Sequence, residues 1–282
     1  LLYEHGLKNG SALFLPYDQG FEHGPRDFFA NPLSGDPNYI IKLAIEGGFN
    51  AIAIQIGLAE KFYWDYAGEV PLILKLNGKT DFPPDNEALS PVQASVEDAV
   101  RLGASAVGYT LYVGSPAQER DFAQLMTIRQ DAERLGMPLI VWSYPRGEAV
   151  NAKGGSTSFY AVDYAARVAS ELGADMVKVN FPHPELVSGV KAPYESAYTT
   201  QDAINAVVKS ANRSMVLISG GEKSGEDARK LDAQVLAACQ HRAAEKDAAV
   251  AAEGAVRIDM EEGVDPVVDL ADAIEVGLRH LA

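Results

Sequence analysis

The sequence predicts a single α/β domain over residues 1–282, a (β/α)8 TIM barrel whose eighth strand is atypical. Three observations predict it. Amphipathic stretches alternate with short apolar runs along the chain. Four of those stretches end at glycine just before the next run: Ala44-Ile45-Glu46-Gly47-Gly48, Arg101-Leu102-Gly103, Arg134-Leu135-Gly136 and Glu171-Leu172-Gly173. Glycine suits the left-handed position that closes a helix, so each marks a helix end followed by a strand. The apolar runs also lack a clean apolar–polar alternation, as parallel strands covered on both faces should.

Taken in order, strands are expected near 11–18, 51–56, 72–77, 106–112, 138–144, 176–181 and 215–220, with an eighth near 255–260. Helices lie between them. Asp36-Pro37, Ser90-Pro91, Ser115-Pro116 and Asp265-Pro266 each read as a helix start, a capping side chain before a proline at the first helical position. The charged, alanine-rich stretch 226–247 reads as a solvent-facing helix. Seven or eight such units fill one barrel. A doubly wound open sheet is the other arrangement, but no Gly-x-Gly-x-x-Gly follows the first strand. The longest non-repetitive pieces, 19–35, 78–90, 145–157 and 182–198, all follow strands, where a barrel carries its active-site loops.

Composition narrows the function classes. A net charge of -15 argues against nucleic acid or an anionic membrane as the main partner. No apolar run approaches the ~20 residues of a membrane span. One cysteine, Cys239, permits no internal disulfide and fits a cytoplasmic protein. The opening Leu1-Leu2-Tyr3-Glu4-His5 is not a signal peptide; lacking an initiator Met, it is expected to follow further residues of the natural protein. The five histidines show no metal-ligand spacing, which disfavours a zinc enzyme.

The chemistry is expected at the C-terminal ends of the strands. Met176-Val177-Lys178-Val179-Asn180 reads as a buried strand with a lysine in its middle. Taken alone, Lys178 could simply carry its ammonium out to water. Yet polar residues stand at the same level on other strands: Asp18 after the first, Lys75 on the third, Trp142 and Tyr144 on the fifth. With a period of two, Lys75 shares a face with Asn77, Trp142 with Tyr144 and Lys178 with Asn180. Pointed inward, these faces bring Asp18, Lys75, Tyr144 and Lys178 to one mouth. Burial and the Lys75 charge would disfavour protonation of Lys178, leaving an amine that attacks carbonyl carbon, with Asp18 offsetting the charge. Tyr144 could move a proton if nearby cations lower its pKa. Ser219-Gly220-Gly221, ending the seventh strand, offers backbone N–H groups to a phosphate. His23 in the first loop could reach phosphate or substrate, or make a structural hydrogen bond. Arg146 and Lys153 could meet a second phosphate or be solvated loop charges.

Four segments carry a resemblance to the archaeal-type class I fructose-1,6-bisphosphate aldolases, a family found also in bacteria. They are Leu15-Pro16-Tyr17-Asp18-Gln19-Gly20-Phe21-Glu22-His23-Gly24-Pro25, Leu74-Lys75-Leu76-Asn77-Gly78, Trp142-Ser143-Tyr144-Pro145-Arg146-Gly147 and Val177-Lys178-Val179-Asn180, with Ser219-Gly220-Gly221 as a fifth. The resemblance runs from about residue 10 to 225. It implies that Lys178 forms the Schiff base, that Tyr144 is the acid/base, and that Trp142 shapes the pocket. Asp18 and Lys75 are then supporting charges, and Ser219, Gly220 and Gly221 part of a phosphate site. It further implies a phosphorylated sugar substrate, no cofactor or metal, and a homo-oligomer.

The chain departs from that pattern at its end. The family closes its eighth strand with Gly-Arg-Asn, a phosphate-binding motif that is missing from Ala248–Met260. Arg257 could supply the guanidinium from a shifted register. Two other readings stay open: a related lysine aldolase acting on another ketose phosphate, and a barrel that binds a sugar phosphate without turning it over.

Overall fold

The computed structural model describes residues 1–6, 8, 10, 12–185, 190, 193–194 and 196–219. Seven strands form one sheet: β1 (Phe14–Tyr17), β2 (Ala51–Gln55), β3 (Leu72–Lys75), β4 (Ala106–Leu111), β5 (Leu139–Ser143), β6 (Met176–Asn180) and β7 (Met215–Ser219). They pair in sequence order and every pairing is parallel. The seven expected strands are therefore present, and the sheet is that of a barrel. The expected eighth strand, the helix over 226–247 and the Asp265-Pro266 helix start lie outside the described residues.

Helices α1 (Gln19–Glu22), α2 (Pro37–Glu46), α3 (Ile56–Phe62), α4 (Val96–Arg101), α5 (Gln118–Leu135), α6 (Glu148–Asn151), α7 (Phe159–Glu171) and α8 (Thr200–Ser210) fill the connections. Gly48, Gly103, Gly136 and Gly173 all take positive φ, which is what a left-handed helix end requires. Asp36 caps α2 by accepting the Asn38 N–H, as its place before Pro37 predicts. The other two proline signals mark something else. Ser90-Pro91 starts no helix. Ser90 is buried, its carbonyl accepting from Asn77 Nδ2 and its hydroxyl donating to Tyr112 Oη, while Val92 bridges Asn77 in an extended segment. The helix begins six residues later, where Ser95 and Asp98 form a reciprocal capping box. Ser115 caps only the Ala117 N–H, and α5 starts at Gln118.

The strands have two apolar faces. Ile52, Leu72, Leu74, Val107, Val141, Val177 and Val179 face outward and pack with Ile41 and Ala44 of α2 and Val162, Ala165 and Ala169 of α7. Each such fully buried aliphatic contributes roughly 1.5–3 kcal/mol. The inner face carries Ala51, Ala53, Ile73, Ala106, Ile140, Trp142 and Met176, with Phe14, Tyr144 and Leu217 against them. Small residues on β2 and β4 leave the room that Trp142 occupies. Past Lys75 the β3 ladder is continued by a side chain: Asn77 Oδ1 accepts the Thr110 N–H (2.7 Å) and Nδ2 donates to the Thr110 carbonyl (2.8 Å). Asn77 is thus locked in the β3–β4 seam rather than sharing the mouth with Lys75. Above the barrel, the loops after β5 and β6 share a rung. The Phe159 N–H donates to the His183 carbonyl (3.0 Å) and the His183 N–H to the Thr157 carbonyl (2.8 Å).

Candidate active site

The mouth is built around a buried ion triad. Asp18 immediately precedes α1 and Glu22 ends it, so one helical turn brings both carboxylates to the same side. Lys75, at the end of β3, is fully buried and donates to both, at 2.9 Å to Asp18 Oδ2 and 2.8 Å to Glu22 Oε1. A buried ammonium persists only when so compensated. Burial opposes its charge, but attraction to Asp18 and Glu22 outweighs burial and holds the ammonium well above the usual lysine range. Burial likewise pushes Asp18 up, yet Lys75 and then Lys178 draw it below its ordinary value. For Glu22 burial wins, Asp18 adds repulsion, and the carboxyl stands above its ordinary value. The Lys75 charge is therefore offset by two acids, Asp18 as the sequence predicts and Glu22 in addition.

Trp142 connects this triad to Lys178. Its register on β5 faces Lys178 on β6, and Lys75 on β3 faces Gly108 on β4. The indole crosses Gly108 to reach both lysines: Lys75 Nζ lies 5.2 Å and Lys178 Nζ 5.3 Å from the ring centroid. Gly108 makes the crossing possible, because a Cβ there would sit 2.6 Å from Trp142 Cζ3 and 3.2 Å from Lys75 Cδ. Among the described residues, no hydrogen bond or ion pair holds Lys178 Nζ. Lys178 is half-buried and pairs in register with Leu217, so Ser219 stands two residues further along the same face of β7, opposite Asn180.

Tyr144 follows β5 and is half-buried against the inner-face cluster. Arg146 lies beyond it, its guanidinium carbon 5.9 Å from the Tyr144 ring and 5.8 Å from that of Tyr112. Beneath Tyr112 is a second buried acid. Asp121 Oδ1 accepts from Tyr109 Oη (2.5 Å) and Oδ2 from the Tyr112 N–H (2.9 Å). Burial raises Asp121, and burial with the Asp121 charge pushes the Tyr109 phenol far up.

The structure thus brings together Asp18, Lys75, Trp142, Lys178 and Tyr144 at one mouth. His23 is not in that cluster. Its ring pairs with Asp27 (2.7 Å) and its side chain is 57% exposed. Lys153 donates to the Ala149 carbonyl of its own turn. Gly220, Gly221 and Arg257 lie outside the described residues. Two acids escaped the sequence reading, Glu22 at the mouth and Asp121 below it. Glu22 was legible as a carboxylate one helical turn after Asp18. Asp121 was not, since nothing within α5 marks its partners, Tyr109 on β4 and Tyr112 just after it.

The fold and mouth define a lysine-bearing barrel, and the comparisons agree. The chain matches the DeoC/LacD family aldolase model over residues 12–257 and belongs to that family. It is 45% identical over 218 residues to the class 1 fructose-bisphosphate aldolase of Thermoproteus tenax, covering 77% of this chain and 74% of that one. It is 36% identical to the Halobacterium salinarum protein of the same name, covering 78% and 76%. Among solved structures it resembles an archaeal fructose-1,6-bisphosphate aldolase whose catalytic lysine is covalently bound to the carbinolamine intermediate. That match has a TM-score of 0.72 and 42% identity, and covers 84% of this chain and 86% of that one.

Proposed function

We propose that this chain is a class I fructose-1,6-bisphosphate aldolase in which Lys178 is the Schiff-base residue. The observation that carries this reading is the placement of Lys178. Its Nζ enters the mouth of an aldolase-family barrel on the face of Trp142, beside the Asp18–Lys75 pair, with no protein hydrogen bond among the described residues to compete with substrate.

The neutral amine of Lys178 attacks the C2 ketone of the bisphosphate, forming a carbinolamine that loses water to give the iminium. Asp18, kept ionised by Lys75, balances the positive charge that this step creates. Tyr144 takes the proton of the C4 hydroxyl as the C3–C4 bond breaks, and the bonding pair moves into the iminium to form an enamine. Glyceraldehyde 3-phosphate leaves. The enamine is protonated at C3, and water releases dihydroxyacetone phosphate from Lys178. Trp142 walls the pocket, and Ser219 with the glycines after it cradles the phosphate next to C2. His23 and Arg257 are further candidates for substrate contact. The reading includes a single domain over 1–282, a homo-oligomer and a cytoplasmic location. Among the described residues no helix is long and apolar enough to cross a membrane.

Borohydride trapping with dihydroxyacetone phosphate, followed by peptide mass spectrometry, tests it. A stable adduct on Lys178, absent from Lys178→Met along with all turnover, is expected. Turnover surviving in Lys178→Met, or no adduct on the wild-type lysine, overturns the assignment. A panel of ketose phosphates then tests whether the bisphosphate is the best substrate.

A further inference from the structure

One carboxylate at the mouth occupies two cations at once. Asp85 stands in a one-turn 3-10 helix, Asp85–Glu87, within the loop after β3. Its Oδ1 lies 2.8 Å from Lys79 Nζ and its Oδ2 3.0 Å from Arg146 Nε. The three groups differ in how firmly they are held. The Lys79 side chain is 14% exposed and that of Arg146 27%, whereas Asp85 is 54% exposed. Arg146 is further fixed by the faces of Tyr112 and Tyr144 and by its donation to the Pro145 carbonyl (2.9 Å). Asp85 accepts no hydrogen bond among the described residues other than those from these cations. Fixed, well-covered cations closed by an exposed carboxylate form an anion site with its own occupant.

We propose that Asp85 is a built-in competitor for an anion site formed by Arg146 and Lys79, and that the phosphate at the far end of the substrate displaces it. The inference rests on the aldolase reading for its ligand, since the phosphate near C2 is assigned to the end of β7, across the mouth. A phosphate monoester carries more charge than a carboxylate and offers three acceptor oxygens, so it outcompetes Asp85 for a guanidinium and an ammonium together. The displaced pairs are solvent-exposed on the acid side and worth little, so the exchange costs little. Burial pushes Asp85 up, but the two cations together draw it below its ordinary carboxylate range. Asp85 would then act as a specificity-determining residue. It tempers the preference for a bisphosphate, whose far phosphate must displace it, and leaves a substrate with a phosphate only near C2 unaffected.

Isothermal titration of inorganic phosphate into the wild-type chain, Asp85→Asn and Arg146→Met tests the site without reference to turnover. Any phosphate held near β7 contributes equally to the three proteins. Asp85→Asn is expected to tighten phosphate binding about threefold to tenfold, the scale of one or two exposed ion pairs. Arg146→Met is expected to weaken it at least as much. The ratio of kcat/KM for fructose 1,6-bisphosphate to that for fructose 1-phosphate should rise in Asp85→Asn and fall in Arg146→Met. Equal phosphate affinity in wild type and Asp85→Asn overturns the proposal whatever the borohydride result. Tighter phosphate with an unchanged substrate ratio overturns the assignment to the far phosphate. A changed phosphate affinity in a protein that traps no adduct on Lys178 supports the anion site and overturns the aldolase chemistry alone.

Discussion

Lys75 and Lys178 place their ammonium nitrogens 5.2 and 5.3 Å from the centre of one indole, that of Trp142. The ring offers its electron-rich π system to both the structural cation and the proposed nucleophile. A cation–π contact of this kind is worth about 0.5–2 kcal/mol. Trp142→Leu should therefore lower kcat/KM about tenfold or more, yet still form the borohydride adduct on Lys178 at a reduced rate. Undiminished turnover in that variant would show that the indole has no part in positioning either lysine.

Gly108 sets the position of that ring. Alanine there puts a methyl group 2.6 and 2.8 Å from two indole carbons, so Trp142 must move. Because β4 is buried and closely packed, relief by backbone shift is expensive. Gly108→Ala should cost about 1–3 kcal/mol in urea unfolding and lower kcat more than it raises KM. An unshifted unfolding midpoint would mean that the ring has more freedom than its contacts show.

The ion triad makes a signed prediction about pH. Lys75 stands above its ordinary value, so its contribution to stability is complete below about pH 10.4 and is lost as pH rises through its folded pKa. Asp18 stands below its ordinary value, contributes above about pH 3.9 and loses that contribution as pH falls through its folded pKa. Glu22 has the opposite sign to Asp18. Its contribution is complete below about pH 4.3 and declines as pH rises through its folded pKa. Thermal melts across that window should show wild type losing stability relative to Glu22→Gln as pH rises. A wild type that gains on the variant over the same range would reverse the sign for Glu22. Lys75→Met should cost about 3–5 kcal/mol at neutral pH, because it leaves two acids buried without a cation.

Tyr109→Phe tests the network below Tyr112. It strips the Asp121 carboxylate of its 2.5 Å donor in a fully buried site. A loss of about 1–3 kcal/mol is expected by urea denaturation, and a neutral result would mean that another donor reaches Asp121.

The barrel was legible because its punctuation is local. Gly48, Gly103, Gly136 and Gly173 close helices by backbone conformation alone, and the apolar runs after them could only be strands. The mouth was legible at Lys75, Trp142 and Lys178, where the period of two holds inside regular strands. It failed at Asn77, two residues beyond the end of β3, where the chain has left the ladder and the side chain takes over the pairing. Ser90-Pro91 misled for a related reason. A serine before proline suits an extended bend as well as a helix start, and only the partners Asn77 and Tyr112 decide between them. Asp85 meets Arg146 from 61 residues away, which no local pattern marks, and Asp121 meets Tyr109 and Tyr112 only because α5 folds back on the strand before it, at separations of 12 and 9 that match no helix or strand period.

The rung joining Phe159 to His183 has a mechanical meaning. The strand that carries Lys178 runs through Asn180, whose amide donates to the Ser156 carbonyl, and on into that rung; α7 begins at Phe159. The two loops therefore form one lever with the helix as its arm. A displacement of His183 is expected to move the start of α7 with it. The amide protons of Phe159 and His183 should accordingly exchange with solvent as one event, on one clock.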